Sequence, residues 1–447
     1  MRHVLLALLF ACNSHAAHAQ DVPTVTLTPD DAVARAMAHS QRLAEVSARE
    51  AGAQAAVNSR RAAERPALNV SAGYTRTNHV DEFGVPQPDG TLRVIYPDVP
   101  DNYFTRAAVQ WPIYTAGRTD ALIKAAEAEA RAAEADVRVA RADLRLEVVR
   151  AYWALVTATE SACVLEQALT RADAHLRDVR SRFDNGLVPP NDVASVEAQR
   201  ARQQMHLIEA RNFRSGVLED LRRLTGITTD ITTGTLTTVL HEGSSRGFSS
   251  GVPTGVMSGG SSEAVTLRPE QEALRARVAA AEERVLAVRA GGKPIVTFNA
   301  GADYANPNPR IFPRAEIWRT SWDVGVVATW ALWDGGRLAA ESAEAAAAAR
   351  ALGARQADID ALIITEVRQR RLDLDSAHAV LEAANVAVAS ATEARRIVSE
   401  RFNVGVATST EVLDAQLALL QSELDRTRAL ANIRLAEARF ERAMGTF

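Results

Sequence analysis

The chain has 447 residues, of which 47% are hydrophobic, 24% charged and 5% aromatic, and its formal net charge is -4. About a fifth of the residues are alanine, which favours long, closely packed helices over a large globular core. The near-neutral charge argues against nucleic acid as the main partner. Two cysteines exclude a disulfide scaffold, a zinc cluster and an iron–sulfur site.

The N-terminus has the pattern of an export signal. An apolar stretch over residues 4–11 follows a short basic start, and residues 17–19 fit a cleavage site, so a signal peptide is predicted over residues 1–19. Cleavage before Cys12, with lipidation of its sulfur, is the alternative. Either interpretation takes the protein out of the cytoplasm. No later stretch has about 18 uncharged apolar residues, so no transmembrane helix is predicted.

The rest of the chain is an internal duplication. The segment at residues 111–118 matches residues 330–337 at an offset of 219, and Gly186 matches Gly405 at the same offset. The sequence therefore predicts a first repeat over residues 20–226 and a second repeat over residues 266–447. A connection rich in glycine and serine, residues 227–265, joins them.

Each repeat begins with a predicted helix. Residues 28–65 and residues 268–288 are rich in alanine, glutamate and arginine at helical spacing. Thr28 is a candidate helix cap, with Pro29 at the first helical position.

Two strands follow the helix in each repeat, and they alternate as membrane strands do. In the second repeat Val324, Val326 and Ala328 alternate with Gly325 and Val327. Period two over about ten residues fits a transmembrane β-strand, and five of the six tryptophans lie in or beside these segments. A soluble sheet with one wet face is the alternative. The predicted hairpins cover residues 68–111 and 295–331.

Four strands cannot close a membrane barrel, because the smallest ones need about eight. Open edges in lipid would leave backbone groups unpaired, so several chains must share one barrel, and three chains would supply twelve strands. The acidic, proline-containing segment over residues 79–102 is predicted to be a long polar loop at the extracellular end.

Very long helices complete each repeat. Residues 118–183 contain neither proline nor an internal glycine, and at 1.5 Å per residue they would span roughly 99 Å. Residues 337–402 repeat this length. Return helices are predicted over residues 191–224 and 409–444, so the helical pairs cover 118–224 and 337–444. A dimeric structural coiled coil is the simpler alternative, but it leaves the strand pairs unexplained.

The order and duplication of these motifs resemble the TolC family of outer-membrane efflux proteins over almost the whole mature chain. The resemblance implies a mainly α fold with a membrane β-barrel: a homotrimer with one twelve-stranded barrel in outer-membrane lipid and an α-helical barrel in the periplasm. It also implies a passive exit duct of a tripartite efflux pump or type I secretion system. The implied partners are a periplasmic adaptor, also called a membrane fusion protein, and an inner-membrane transporter.

Two sites follow from the resemblance. The tips of the helical pairs would dock the adaptor, although each tip is also simply a helix–helix turn. The matching positions are Asn185, Gly186, Leu187, Val404, Gly405 and Val406. Acidic side chains on the first turns of the return helices would form the pore constriction, although such acids also favour a helix N-terminus. These residues are Glu411, Asp414 and, in the first repeat, Asp192.

Catalytic signals are lacking in the sequence. The histidines are scattered without metal-ligand spacing, and no phosphate loop or nucleophile elbow occurs, so we expect neither an enzyme nor a cofactor or metal. The alternative function is a periplasmic coiled-coil adaptor or structural protein. An adaptor should have one helical hairpin between β-rich segments, and not a full duplication.

Overall fold

A computed structural model describes residues 25–229, 231–233 and 268–447. The predicted signal peptide, Cys12 and most of the predicted connection lie outside these residues. The described part is mainly helical and falls into two compact units. The tip unit holds the described residues within 1–39, 147–257 and 376–435, and the sheet unit holds those within 40–146, 258–375 and 436–447.

The first repeat contains five strands and four helices in the described residues. In chain order they are β1 (Val25–Leu27), α1 (Pro29–His39), α2 (Gln41–Ala62), β2 (Ala67–Arg76), β3 (Phe83–Pro86), β4 (Leu92–Tyr96), β5 (Asp101–Tyr114), α3 (Arg118–Asp184) and α4 (Pro190–Thr225). The short strand β6 (Ile231–Thr233) follows. The second repeat comprises α5 (Pro269–Ala290), β7 (Ile295–Asn306), β8 (Arg319–Thr329), α6 (Arg337–Asn403) and α7 (Ser409–Met444).

The long helices of the two repeats have corresponding boundaries. Both ends of α3 and of α4 recur in α6 and α7 at the offset of 219 residues found in the sequence. The glycine that ends the first turn, Gly186, has a φ of 69°, and its counterpart Gly405 has a φ of 80°. Such positive angles suit glycine because it lacks a Cβ atom. The turn geometry is therefore the same in both repeats.

The first predicted helix is wrong in one respect, because it is two helices. Thr28 caps α1 as expected, its Oγ1 accepting a hydrogen bond from the backbone N–H of Asp31 at 3.1 Å. A second cap follows at Ser40, whose Oγ accepts from the N–H of Leu43 at 3.2 Å and starts α2. A serine side chain that satisfies a new helix start can interrupt a helix without glycine or proline.

Strands β2, β5, β7 and β8 form one antiparallel sheet in that order. Both predicted hairpins are confirmed as strand pairs, β2 with β5 and β7 with β8. Within the sheet, the two repeats meet where β5 pairs with β7, and Arg106 lies opposite Asp303 there. The predicted loop over residues 79–102 is wrong as a simple loop, since β3 and β4 form a small antiparallel hairpin within it.

The parallel pair β1–β6 in the tip unit was not predicted. Leu27 of β1 is buried, and its carbonyl accepts a hydrogen bond from the buried Tyr152 hydroxyl at 3.1 Å. Each strand has three residues, too few for a recognisable sequence pattern.

One helix in the described part of the chain, α3, has an 18-residue window long and apolar enough to cross a membrane. This differs from the expectation drawn from uncharged stretches. However, 44% of that window is buried within the chain, which is the behaviour of a helix that packs against its neighbours.

Candidate functional site

The four-stranded sheet has one apolar and one polar face. Because neighbouring residues of a strand point to opposite faces, the observed register assigns every side chain to one of them. The apolar face carries Leu68, Val70, Ala107, Val109, Ala300, Phe298, Trp322, Val324 and Val326. The polar face carries Asn69, Ser71, Arg106, Gln110, Asn299, Asp303, Ser321 and Asp323. Large apolar side chains on the first face are exposed, with Trp322 at 77% and Val324 at 59%.

Aromatic rings border the apolar face at one end. The rings of Tyr304 and Trp318 stack with centroids 4.8 Å apart, and Tyr103 lies 6.1 Å from Trp318 and 5.0 Å from Tyr74. Together these four rings form a belt across the strands. Membrane barrels carry such belts where the strands leave the lipid.

A second aromatic border lies at the other end of the strands. Trp111 donates its indole N–H to the Glu64 carbonyl at 2.9 Å, and Trp330 donates to the Gly292 carbonyl at 3.0 Å, so the two repeats make equivalent contacts. Trp318 and Trp330 flank β8. Their separation of twelve residues spans about 40 Å along a strand. At a tilt of about 45° this is roughly 29 Å across a membrane, which fits the apolar band of a barrel.

A charge cluster crosses three strands on the polar face. The Arg106 guanidinium donates to both oxygens of Asp303, at 2.7 and 3.0 Å, and to Asp323 Oδ1 at 3.0 Å. A Cβ atom at Gly301 would lie 2.5 Å from Arg106 Nη2, so glycine is needed for the guanidinium to lie flat on the sheet. Arg310, from the loop between β7 and β8, adds a contact of 2.7 Å to Asp323.

Neither outer strand of the sheet has a partner on its free edge within the described residues. Strand β2 pairs with β5 alone, and β8 pairs with β7 alone. Each free edge presents unpaired backbone N–H and C=O groups beside an exposed apolar face. Such an edge costs several kcal/mol per group in lipid, so the sheet requires further strands alongside it if it enters a membrane.

The tips of the helical pairs expose apolar side chains. Leu187 is 73% exposed, Val404 76% and Val406 67%, beside the turn glycines Gly186 and Gly405. Asn185 is used locally, because its Nδ2 donates to the Ser181 carbonyl at 2.6 Å. A contiguous patch of exposed apolar groups can mark a contact with a partner. The docking role of these six residues stays a prediction.

The two turns are tied together in the tip unit. Arg182 of α3 donates to the carbonyls of Phe402 and Asn403 at the end of α6, at 2.8 and 3.3 Å. Its guanidinium also lies 4.1 Å from the centre of the Phe402 ring. A cation at a helix C-terminus stabilises the unpaired carbonyl groups there.

Beside this contact, His175 of α3 is almost fully buried. Its Nε2 lies 3.2 Å from Ser409 Oγ, and its ring meets Phe402 edge-on at 5.2 Å. Burial lowers the pKa of His175. The sequence analysis missed the roles of His175 and Arg182. The available signal was their helical spacing beside the apolar Leu176 and Val179, but it does not reveal a partner more than 200 residues away.

The three candidate pore acids occupy different surroundings. Glu411 forms a capping box, accepting from Thr408 N and Oγ1 at 3.1 Å while its own N–H donates to Thr408 Oγ1 at 3.3 Å. These bonds, led by the Thr408 backbone N–H, hold the pKa of Glu411 below its ordinary value. Asp414 is exposed one turn further along, and Asp192 accepts from Asn191 Nδ2 at 3.2 Å. The capping role is thus observed for Glu411, and the pore role stays a prediction for all three.

Comparison with known sequences identifies a protein family that matches this chain. The profile of the family described as "Outer membrane efflux protein" matches residues 32–227 and 260–446. A curated relative, "Outer membrane protein TolC" of Vibrio cholerae, is 24% identical over 423 residues, covering 92% of this chain and 89% of the relative.

Solved structures share the fold. The outer membrane protein VceC of Vibrio cholerae superposes with a TM-score of 0.76 at 21% identity, over 93% of this chain and 96% of that one. The CmeC outer membrane channel of Campylobacter jejuni gives a TM-score of 0.75 at 15% identity, over 100% and 94%. These relatives are described as channels and outer-membrane proteins.

Proposed function

The chain belongs to the family of outer membrane efflux proteins, and from this premise we propose that it is the exit duct of a tripartite efflux pump or type I secretion system. It is an outer-membrane protein with a periplasmic helical portion, and its relatives are channels and not enzymes. In the proposed duct, substrates pass passively from the pump to the exterior. The family excludes the alternative of a periplasmic adaptor.

The sheet carries this proposal. Its exposed apolar face and aromatic borders suit lipid, and its polar face suits a water-filled lumen. Its two outer edges, free within the described residues, could pair with the edges of neighbouring copies. Three copies joining the edge of β2 to the edge of β8 would close twelve strands and leave no unpaired backbone. The proposed state is therefore a homotrimer with one shared barrel, each chain contributing two repeats and the connection over residues 227–265.

Two valines on β8 provide a matched test. Val324 lies on the apolar face and Val327 on the polar face, and both are more than half exposed. Val324→Lys should place a charge in lipid at a cost of roughly 2–4 kcal/mol and abolish heat-modifiable trimers in outer-membrane fractions. Val327→Lys should leave the trimers intact. Equal behaviour of the two variants would contradict a lipid-facing sheet.

For the pore, we propose that Asp414 and Glu411 of three copies form two acidic rings at the periplasmic entrance, with Asp192 nearby. A spacing of three places the first two on one helix face. Glu411→Gln and Asp414→Asn should together lower cation selectivity and divalent-cation block in planar bilayers. Glutamine keeps an acceptor for the Thr408 cap, so the helix start is preserved. Unchanged selectivity would refute the rings.

For the partners, we propose that the exposed tips dock a periplasmic adaptor that links the duct to an inner-membrane transporter. The support is that the apolar side chains of Leu187, Val404 and Val406 are exposed beside the two turn glycines with positive φ. Leu187→Glu combined with Val404→Glu should abolish copurification with an adaptor and abolish efflux, while trimers persist. Glu197→Gln, an exposed change away from the turns, is the control.

A further inference from the structure

The loop over residues 307–318, which joins β7 to β8, is anchored on the polar face of the sheet. Its Arg310 reaches Asp323 Oδ1 at 2.7 Å and approaches Asp303 Oδ2 at 3.7 Å. Both aspartates belong to the polar face, where Arg106 also lies. The first part of the loop therefore bends toward the polar face, whereas its last residue, Trp318, joins the aromatic belt at the border of the apolar face.

A second anchor lies at the start of the same loop. Asn308 is only 3% exposed, and its Nδ2 donates to the Arg319 carbonyl at 2.9 Å and to Ser321 Oγ at 3.0 Å. Its Oδ1 accepts from the Arg310 N–H at 2.9 Å, which directs the loop into the Arg310 contact. Three prolines, Pro307, Pro309 and Pro313, restrict the remaining backbone. The loop is therefore a stiff segment with a fixed root.

At its far end the loop holds the small hairpin β3–β4. Arg314 donates to the Tyr96 hydroxyl at 2.9 Å and to Asn102 Oδ1 at 2.5 Å. Residues of both segments, including Val85, Ile95 and Phe312, line a shared cavity of about 310 Å³. The loop and the hairpin thus form one connected layer at the end of the strands that carries Tyr103 and Trp318.

We propose that this loop is a strap across the outer mouth of the channel, held on the lumen side by the Arg310–Asp323 ion pair. The inference rests on the proposed channel, since the polar face is the lumen only if the apolar face meets lipid. In the open strap Arg310 has left Asp323 and Arg314 has left Asn102 of β5, while the Asn308 anchor stays in place.

The charge cluster keeps the free energy needed to break the Arg310–Asp323 contact small. Arg310 and Asp323 are 40% and 35% exposed, so water screens their attraction and the pair is weak. When Arg310 leaves, Arg106 remains bonded to both aspartates, and neither carboxylate loses its only cation. The cluster then changes from neutral to one net negative charge per chain. The strap can therefore move while both carboxylates keep Arg106 as an ion-pair partner.

An accessibility experiment on intact cells tests the strap. Asn299→Cys, in a Cys163→Ser background, places a thiol on the polar face, further from the aromatic belt than the charge cluster. A bulky uncharged maleimide added outside must pass the strap to reach it, whereas N-ethylmaleimide is small enough to pass a closed strap. Uncharged probes remove any effect of lumen charge.

Arg310→Ala should raise the labelling rate of the bulky maleimide about three-fold, the shift expected from loss of one partly exposed ion pair. N-ethylmaleimide should label at the wild-type rate. Arg310→Lys retains the pair and should stay near wild type. Arg319→Ala, which removes another exposed cation near the mouth, should also have no effect.

An unchanged bulky-probe rate in Arg310→Ala, or an equal rise with both probes, would overturn the strap. A different result would contradict the proposed channel and not only the strap. If even N-ethylmaleimide cannot label the introduced thiol in the otherwise wild-type protein, the polar face is not an open lumen.

Discussion

The two repeats share their backbone and differ in their side chains. Helix boundaries and turn angles recur at one offset, yet Phe183 is 42% exposed whereas its counterpart Phe402 is 5% exposed. The first repeat supplies His175 and Arg182, which pack on Phe402, and the second repeat has Ala394 at the position of His175. Duplication thus preserved geometry, while packing between the repeats made equivalent positions different.

Helix starts show the same divergence. Helix α7 begins with the Thr408–Glu411 capping box, whereas α4 begins after Pro189 with no side-chain cap and has Pro190 at its first position. Proline presets the backbone angle, and a capping box satisfies the free N–H groups. The same turn is therefore stabilised by two different means.

The largest expected effect concerns the two phenylalanines at equivalent positions of the repeats. Phe402→Ala should destabilise the tip unit by about 3–5 kcal/mol, because it removes a ring that is buried in an apolar cluster and contacts His175 and Arg182. Phe183→Ala should cost less than about 1 kcal/mol at its exposed site. Limited proteolysis and thermal unfolding by circular dichroism measure both. Equal losses would show that the repeats are energetically equivalent.

A smaller effect concerns the approach to each long helix. Gly335 has a φ of 69°, and the matching residue Ala116 has a φ of 54°, a strained value for alanine. Gly335→Ala should cost about 1–2 kcal/mol, and Ala116→Gly should stabilise by less than about 1 kcal/mol, since glycine also gains entropy when unfolded. Relative to the wild type, the thermal midpoints of the two variants should shift in opposite directions. Shifts of the same sign would contradict backbone strain as the cause.

The third effect depends on pH and is specific to the first repeat. Burial lowers the pKa of His175, so the folded state favours the neutral ring. The stability that depends on neutrality is present above the unfolded value of about 6.5 and is lost as the pH falls toward the lower folded pKa. Asp178 and Arg182 are the nearby charges, with opposite influences.

The protection factors of the tip-turn amides, which compare each exchange rate with its intrinsic rate at the same pH, should therefore fall between pH 7.5 and about pH 5 in the wild type. His175→Gln, which cannot titrate, should show no such fall. A fall of equal size in both proteins would exclude His175 as its origin.

The smallest effect concerns the start of α6. Asp334 accepts from the N–H groups of Leu338 and Gly336, at 2.8 and 3.0 Å, which holds the pKa of Asp334 below its ordinary value. Thr115, at the matching position, accepts one bond at 3.4 Å. Because the pKa is depressed, the contribution of Asp334 is present above about pH 4 and is lost as the pH falls further.

Amide exchange compared at pH 7 and pH 3 should therefore show selective fraying of α6 relative to α3 at acidic pH. Asp334→Asn should remove most of the difference between the two helices. Fraying of both helices to the same extent would contradict a capping role for the carboxylate.

Sequence reasoning was strongest where structure is local and long. The four long helices were predicted to within one or two residues, because uninterrupted helical composition ends at Gly186, Gly226, Gly405 and Gly445. Strand alternation placed Val324 and Val327 on opposite faces, and the register confirms this.

Sequence reasoning was weakest where a contact joins residues far apart in the chain. The residues around Arg106 do not indicate that its partner is Asp303, and the contact of Arg182 with Phe402 depends on the packing of two helices from different repeats. Three-residue strands such as β1 carry no periodicity, and the break at Ser40 depends on one side-chain hydrogen bond. The proposed pore acids remained predictions because a ring requires further copies of the chain.

The pairing of β5 with β7 also constrains how the molecule is made. Strand β5 ends at Tyr114, but its partner β7 begins at Ile295. The edge of β5 therefore cannot pair until the second repeat has been synthesised and exported. During that interval an apolar strand pair stands with both edges bare in the periplasm. Such a delay slows folding and invites wrong edge pairing. We expect assembly to depend on periplasmic chaperones that shield the first hairpin until the second arrives.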